Sequence, residues 1–311
     1  MASPSKSIPA PTVPQKKFKD EWFWCYLFIA PLLIGILTFS VFPLFYALGI
    51  SFTEWDGLTK AQFNGIQNFV RLFQDPAVMI EIKNTFIYAL GVVPPTIIIA
   101  IVLANVLNMP LKGKTVFRTI YYLPNVTMAA AVAIIWRWLF SSYGPLAQFS
   151  QLVGLPVLAW TSDPKLIMPA ICIVSVWGGV GYSAVMLLAG LQGIPKSYYE
   201  AAEIDGASGF YIFMKITIPL LTPTIFFIMI TTVMNAFKAF DLIYMFGPKQ
   251  MAGATGPLVD AIRTMVYGVY IRGFTLFEMG YAAAESFVLF IMILIITGIQ
   301  FAVQKRWVFY D

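Results

Sequence analysis

Pro195-Lys196-Ser197-Tyr198-Tyr199-Glu200-Ala201-Ala202-Glu203-Ile204-Asp205-Gly206-Ala207-Ser208-Gly209 is a polar passage between two long apolar runs, and it continues into Ile216-Thr217-Ile218-Pro219-Leu220-Leu221-Thr222-Pro223. Ser197 with Glu200 three residues on has the spacing of a capping box, the alanines favour helix, and Gly206 is the residue type that closes a helix in a left-handed conformation. The passage therefore predicts a helix of about two turns. Tyr198, Ala201 and Ala202 at i, i+3 and i+4 give that helix a flat, small-residue face with an aromatic edge, a shape suited to a groove on another protein.

The surroundings of this passage belong in a bilayer. Of 311 residues, 59% are hydrophobic and 11% charged, against about 45–50% and about 25% in soluble domains. The net charge of +5 is explained by lysines and arginines flanking helix ends, and nothing points to nucleic acid. Histidine is absent, which removes His-based triads and the commonest metal ligand. Cys25 and Cys172 lie inside apolar runs and form neither a disulfide framework nor a metal spacing, so both read as lipid- or packing-facing. No catalytic residue and no metal site is expected.

In chain order, residues 1–20 read as a disordered tail ending in the basic cluster Lys16, Lys17 and Lys19. Residues 21–83 hold a first membrane helix and an outer loop. The uncharged run from Trp22 to Thr53 is too long for a signal peptide and is expected to bend at Pro31 or Pro43. Residues 64–83 are amphipathic, with Phe69, Leu72 and Phe73, until Pro76 cuts them. Residues 84–304 form the core, with spans at 84–108, 119–140, 166–191, 217–240 and 282–303, each near the ~20 residues that cross hydrocarbon. Residues 305–311 close the chain.

Six crossings put both ends on one side. Lys112, Lys114 and Arg118 in a short loop, with Lys305 and Arg306, make that side cytoplasmic. Arg263 and Arg272 lie in a longer outer segment, where charge says little about topology. The outer segments 141–165 and 244–281, rich in Gly and Pro, read as loops with short helices. The passage 195–219 is then cytoplasmic.

Two motifs imitate nucleotide sites. Lys112-Gly113-Lys114-Thr115 copies the end of a P-loop, but Asn108 stands where a glycine is needed, Pro110 lacks an amide and no strand precedes it. Gly179-Val180-Gly181 lies in mid-membrane without a βαβ unit and reads as close helix packing. Asn125-Val126-Thr127 is a glycosylation triplet only by coincidence if the source is bacterial.

Trp136 and Trp138 fit an interfacial aromatic belt. Trp177 and Tyr182 flank glycines at membrane depth, where they either pack helices or offer faces on which a sugar ring stacks. Thr231, Asn235 and Lys238 at i, i+4 and i+7 form one stripe of the fifth span, with Asp241 a turn beyond. Lys238 either snorkels, faces the path, or pairs with Glu285, which lies early in the last span.

Glu200-Ala201-Ala202, Asp205-Gly206-Ala207 and the later Ile216 and Pro219 match in type and spacing the EAA motif of ABC importer membrane subunits, a family the chain resembles over most of its length. Ser51-Phe52-Thr53-Glu54-Trp55-Asp56-Gly57, Phe117-Arg118-Thr119-Ile120-Tyr121-Tyr122-Leu123-Pro124, Ile135-Trp136-Arg137-Trp138-Leu139-Phe140, Leu188-Ala189-Gly190-Leu191-Gln192-Gly193-Ile194-Pro195 and Phe240-Asp241-Leu242-Ile243-Tyr244 resemble its carbohydrate-importing branch. Within that branch the chain is similar to the first of two paired permeases, of the maltose, lactose and glycerol-3-phosphate type.

The resemblance implies an all-α integral membrane protein with six transmembrane helices, the maltose-type permease fold, in a bacterial inner or plasma membrane with both termini cytoplasmic. It implies that Ser197, Glu200, Ala201, Ala202, Asp205 and Gly206 couple the chain to a cytoplasmic ABC ATPase dimer, which binds ATP and Mg; no cofactor is expected in this chain. The other implied partners are a second permease, an extracytoplasmic solute-binding protein, membrane lipid and a carbohydrate. Trp177, Tyr182, Thr231, Asn235, Lys238, Asp241 and Glu285 are the candidate substrate path. Maltose-type permeases carry asparagines along the corresponding stretch, and Lys238 departs from that pattern.

An amino-acid or peptide permease shares the EAA loop and is separated by the sugar-type motifs elsewhere. A secondary transporter or channel calls for relay carboxylates deep in the spans, whereas Asp241 and Glu285 lie near the outer end. A membrane-embedded enzyme has no HExxH or nucleophile–base set to work with.

Overall fold

The computed structural model describes residues 18–109, 112–247 and 256–309. Most of the expected N-terminal tail, part of the segment 244–281 and the last two residues of 305–311 lie outside them. In chain order the helices are α1 Phe18–Ile36, α2 Phe42–Ser51, α3 Gln67–Gln74, α4 Pro76–Asn108, α5 Lys114–Val126, α6 Ala129–Leu139, α7 Pro145–Leu152, α8 Ile167–Gln192, α9 Lys196–Ile204, α10 Gly209–Ile212, α11 Ile218–Phe237, α12 Asp241–Phe246, α13 Pro257–Asp260, α14 Met265–Tyr270 and α15 Met279–Gln304. Two short strands, β1 Thr53–Glu54 and β2 Gln62–Phe63, pair antiparallel with Thr53 opposite Phe63.

The chain divides into Met1–Gly49 and Ile50–Asp311. In the first unit, the apolar span that opens at Trp22 carries its large side chains exposed, as a helix surrounded by lipid does. Pro31 lies inside α1. A π-helical turn, Leu37–Val41, joins α1 to α2 just ahead of Pro43, and the wider turn accommodates the amide that proline lacks.

In the second unit α4 and α8 run side by side in one direction. The Tyr88 hydroxyl donates to Ser175 Oγ at 2.9 Å, and Gly91 lies against Cys172 and Gly179 against Thr96. Helix α11 returns antiparallel, with Phe86 edge-on to Phe237 at 5.3 Å and Gly190 against Leu221 and Thr224. Helix α15 runs with α4 and α8, its far end reaching α11 through Phe301 and Phe226. At the top of this bundle α4, α8 and α15 begin and α11 stops; at the bottom the directions reverse. Lipid tails are as apolar as leucine, so close backbone approach rather than the hydrophobic effect holds such helices. Ala100, Ala104 and Ala184 are buried accordingly. Gly181 shows the same cause, since a Cβ there would overlap the Tyr121 carbonyl.

Two expectations are corrected. The span placed at 119–140 is not one rod: α5 and α6 meet at 99°. Pro124 weakens the end of α5, and Thr127 and Met128 are extended, with ψ of 139° and 129°. The span placed at 84–108 begins earlier, at Pro76, so the boundary drawn at 83 falls inside a helix. Asp75 caps it, accepting from the Ala77 amide at 2.9 Å, with proline in the first turn. Glu81, in this first part of the helix, is fully buried among arginines.

Candidate functional site

At the bottom, α9 lies between the end of α8 and the start of the helical segment leading to α11. The expected capping box is absent: Pro195 is the N-cap, already extended at ψ 134°, so the helix starts one residue before Ser197 and no side chain caps it. The other end follows expectation. Gly206 has φ +72°, its amide donates to Glu203 O at 3.0 Å, and the Ala207 amide donates to Ala202 O at 3.0 Å. That pair of bonds is a Schellman closure.

Ala202 faces inward and is buried, and the Tyr199 hydroxyl lies 3.4 Å from Thr217 Oγ1, so one side of α9 is anchored to the segment that becomes α11. Ser197, Glu200, Ala201, Asp205 and Gly206 are exposed. Tyr198, Ala201, Asp205, Tyr211 and Lys215 line a concavity of about 630 Å³. Ala202, though buried, also reaches the wall of this concavity.

Midway along the helices, α4, α8 and α11 surround a second cavity of about 330 Å³, closed on another side by the α5–α6 break. It brings together three of the residues expected on the path: Tyr182, Thr231 and Asn235. The Thr231 hydroxyl donates back to its own helix, to Phe227 O and Ile228 O at 3.0 Å, whereas the Asn235 amide makes no hydrogen bond among the described residues. Thr96, Asn125 and Thr232 also line the cavity and were not foreseen. The legible signal was Pro124-Asn125, a helix-weakening pair inside a supposed span.

The other four expected path residues lie elsewhere. Trp177 packs edge-on against Trp136 at 5.5 Å. Lys238 is exposed at the C-terminal end of α11, and Asp241 is exposed at the first position of α12. Glu285 is fully buried and does not meet Lys238; its Oε2 accepts from Arg272 Nη1 at 2.7 Å. A buried carboxylate takes the cation that can be buried with it, and a guanidinium with five donors satisfies several partners at once.

Arg272 is the centre of a charge cluster at the top. The same Nη1 donates to Glu81 Oε2 at 2.9 Å, and Nη2 reaches Asp75 at 3.3 Å. Arg263 donates to Glu81 Oε1 at 2.7 Å, and the Tyr281 hydroxyl to Asp75 at 3.0 Å. Burial works against the Arg272 charge, yet Glu285 and Glu81 hold its proton more firmly than usual. Burial likewise raises Asp75, but the Ala77 amide, the Tyr281 hydroxyl and Arg272 together hold its carboxyl below the usual range. Arg263 and Arg272, which say little about topology, therefore tie the segment 257–278 to α4 and α15, together with Asn84 and Thr85 of α4.

Comparison with known proteins agrees with this arrangement. The family described as "Binding-protein-dependent transport system inner membrane component" matches residues 96–308. The probable ABC transporter permease protein YesP of Bacillus subtilis (strain 168) is 37% identical over 92% of both chains. The lactose transport system permease protein LacF of Rhizobium radiobacter is 34% identical over 94% of this chain and 96% of its own. A chain of the bacterial alginate ABC transporter, solved in complex with an alginate pentasaccharide-bound periplasmic protein, superposes with a TM-score of 0.80 over 93% of this chain and 96% of that one, at 22% identity, a likeness of fold. With a membrane-spanning bundle, a central cavity and an anchored polar helix at one end, the chain belongs to the binding-protein-dependent transport system inner membrane components.

Proposed function

We propose that the chain is one permease subunit of an ATP-driven importer for a sugar, oligosaccharide or related glycoside or polyol. The observation that carries this reading is the central cavity, where hydroxyls, amides and the Tyr182 ring meet at membrane depth and, among the described residues, no charged side chain intrudes. Such a lining suits a hydroxyl-rich solute and weighs against an amino acid, whose ammonium and carboxylate each call for a partner. LacF, named as a lactose transport system permease protein, supports the same class.

The chain performs no covalent chemistry in this reading. A separate ATPase dimer binds ATP and Mg and docks at the α9 concavity; a second permease completes the path and a solute-binding protein delivers the cargo. Because Tyr199 and Ala202 fasten α9 to the base of α11, movement of the ATPase is passed to a helix that lines the cavity, and access alternates around a central site. Lys112, Lys114, Arg118, Lys305 and Arg306 all fall at the α9 end of the bundle, which supports a cytoplasmic bottom.

The test is co-purification followed by reconstitution. The chain is expected to bring down an ATPase, a second permease and a binding protein, and the reconstituted complex to accumulate a saccharide only with ATP inside. Accumulation driven by an ion gradient without the ATPase would overturn the reading. Cysteines at Ser208 and Lys114 should react with impermeant reagents from the ATP side alone, and labelling from the opposite side would invert the orientation.

A further inference from the structure

The charge cluster at the top does not balance as it stands. Asp75, Glu81 and Glu285 meet Arg272, and Glu81 also meets Arg263, so three carboxyl groups share two guanidinium ions. The other packed elements do not make up the difference. Arg71 of α3 lies 4.3 Å over the Tyr281 ring but is matched by Glu278 at 2.9 Å. Asp260 at the end of α13 stands 3.4 Å from Arg263 and is 41% exposed, so its charge is met by water. Tyr267 of α14, Tyr244 of α12 behind it, and Tyr281 of α15 are phenols, uncharged at neutral pH. Asp75 is partly exposed and held ionised by the Ala77 amide, the Tyr281 hydroxyl and Arg272. The unmatched negative charge therefore falls on Glu81 and Glu285, both fully buried.

The contact between these two is a second observation. Arg272 Nη1 donates to Glu81 Oε2 at 2.9 Å and to Glu285 Oε2 at 2.7 Å, and the two carboxyl groups are within hydrogen-bonding reach of each other. Glu285 Oε1 is buried and has no donor among the described residues. Ionised carboxylates only accept, and two of them in contact repel. One proton turns that contact into a hydrogen bond. It also leaves the pair a single negative charge, which with Asp75 balances Arg263 and Arg272.

We propose that Glu81 and Glu285 form a proton-binding site, one proton held between two carboxyl groups, and that its release loosens the outer segment 257–278 from α4 and α15. The proton belongs to the pair and not to either residue. Among the described residues no carboxylate lines the central cavity, so this is a fixed proton and not one relayed across the bundle. Opening of the segment exposes both groups to water, where each ionises above about pH 4.3. Opening therefore releases a proton: the contribution to stability is fully present below that range and is lost as pH rises, until the closed pair itself gives the proton up.

The test takes the complete complex in lipid nanodiscs and follows hydrogen exchange of the segment 257–278 by mass spectrometry from mildly acid to neutral pH, corrected for the intrinsic exchange rate. Protection in the wild type should fall about tenfold per pH unit, the slope of one released proton. Glu285→Gln keeps the size, a donor for Glu81 and an acceptor for Arg272, and has no proton to lose. Its protection should be flat and, at neutral pH, no lower than that of the wild type. Infrared spectra at neutral pH give an independent readout. The carbonyl band of a protonated carboxyl should be present in the wild type and absent from Glu285→Gln and from Glu81→Gln, because either change leaves one carboxyl beside Arg272, which keeps it ionised. A band that survives in Glu81→Gln would assign the proton to Glu285 alone and overturn the shared site. A wild type with no such band, or with protection as flat as that of Glu285→Gln, overturns it as well.

Discussion

Arg272 and Glu285 are joined at 2.7 Å between the start of α15 and the π-helical turn that follows α14, and neither side chain is appreciably exposed. The pair is more than a local fastening, because the same guanidinium nitrogen holds Glu81 of α4. Removing one member of a buried pair costs about 3–5 kcal/mol, since it strands the opposite charge. Arg272→Met should therefore lower the thermal midpoint and the yield of solubilised protein sharply, and more than Glu285→Gln, which leaves Arg272 its bonds to Glu81 and Asp75. Arg272→Lys should rescue little, because a single ammonium cannot match the guanidinium fork. Equal midpoints for wild type and Arg272→Met would show that the cluster does not hold the top of the bundle together.

Gly268 lies directly over that cluster. A Cβ built there would stand 2.5 Å from Arg272 Nη1 and 2.5 Å from Glu81 Cδ. Gly268→Ala must push the ion pair apart, at an expected cost of about 1–3 kcal/mol for overpacking. In a double-mutant cycle with Glu81→Ala the two losses should be less than additive, because the second change removes what the alanine strikes. Full additivity would mean that the clash is relieved elsewhere.

Some of this was legible in the sequence and some was not, for physical reasons that particular residues make plain. Gly206 announced a left-handed helix end because few other residues adopt that backbone, and φ is +72° there. Ser197 and Glu200 also spelled a cap, but Pro195 took the N-cap position first, and spacing alone does not reveal which of two candidate starts wins. The stripe Thr231–Asn235 found the cavity because helical periodicity survives into the fold. Lys238 continued the stripe on paper, but α11 ends there, so the period no longer applies. The partner of Glu285 lay thirteen residues upstream, in a segment read as outer loop, and pairing across elements leaves no local trace. The break at Thr127 and Met128 was signalled by Pro124-Asn125 alone, within a run otherwise long and apolar enough to read as one span.

For the coupling helix, Gly206→Pro should leave the protein in the membrane but disconnect it. Proline cannot adopt φ +72°, and it removes the amide that donates to Glu203 O at 3.0 Å. Gly206→Asn, which tolerates the left-handed region, should be mild. Glu200→Lys reverses a charge on the exposed side of α9 without disturbing a cap, so any loss belongs to docking. Recovery of the ATPase on the immobilised permease, compared at equal permease amounts, reads all three. Undiminished recovery together with normal uptake in Gly206→Pro and Glu200→Lys would remove the coupling assignment.

Asn235 and Lys238 are one helical turn apart and are expected to behave differently. Asn235 lines the cavity with an amide that is open to a solute, so Asn235→Ala should weaken uptake by about 0.5–1.5 kcal/mol for each hydrogen bond lost, roughly two- to tenfold, with little effect on assembly. Lys238 is exposed at the helix end, outside the cavity, and its supposed partner Glu285 is bonded to Arg272. Lys238→Met should accordingly keep both the amount of protein and the preference between an acidic and a neutral saccharide. Uptake at matched protein levels separates the cases. If Lys238→Met loses the acidic solute while Asn235→Ala keeps both, the ammonium rather than the amide meets the cargo, and the site extends from the central cavity towards the end of α11.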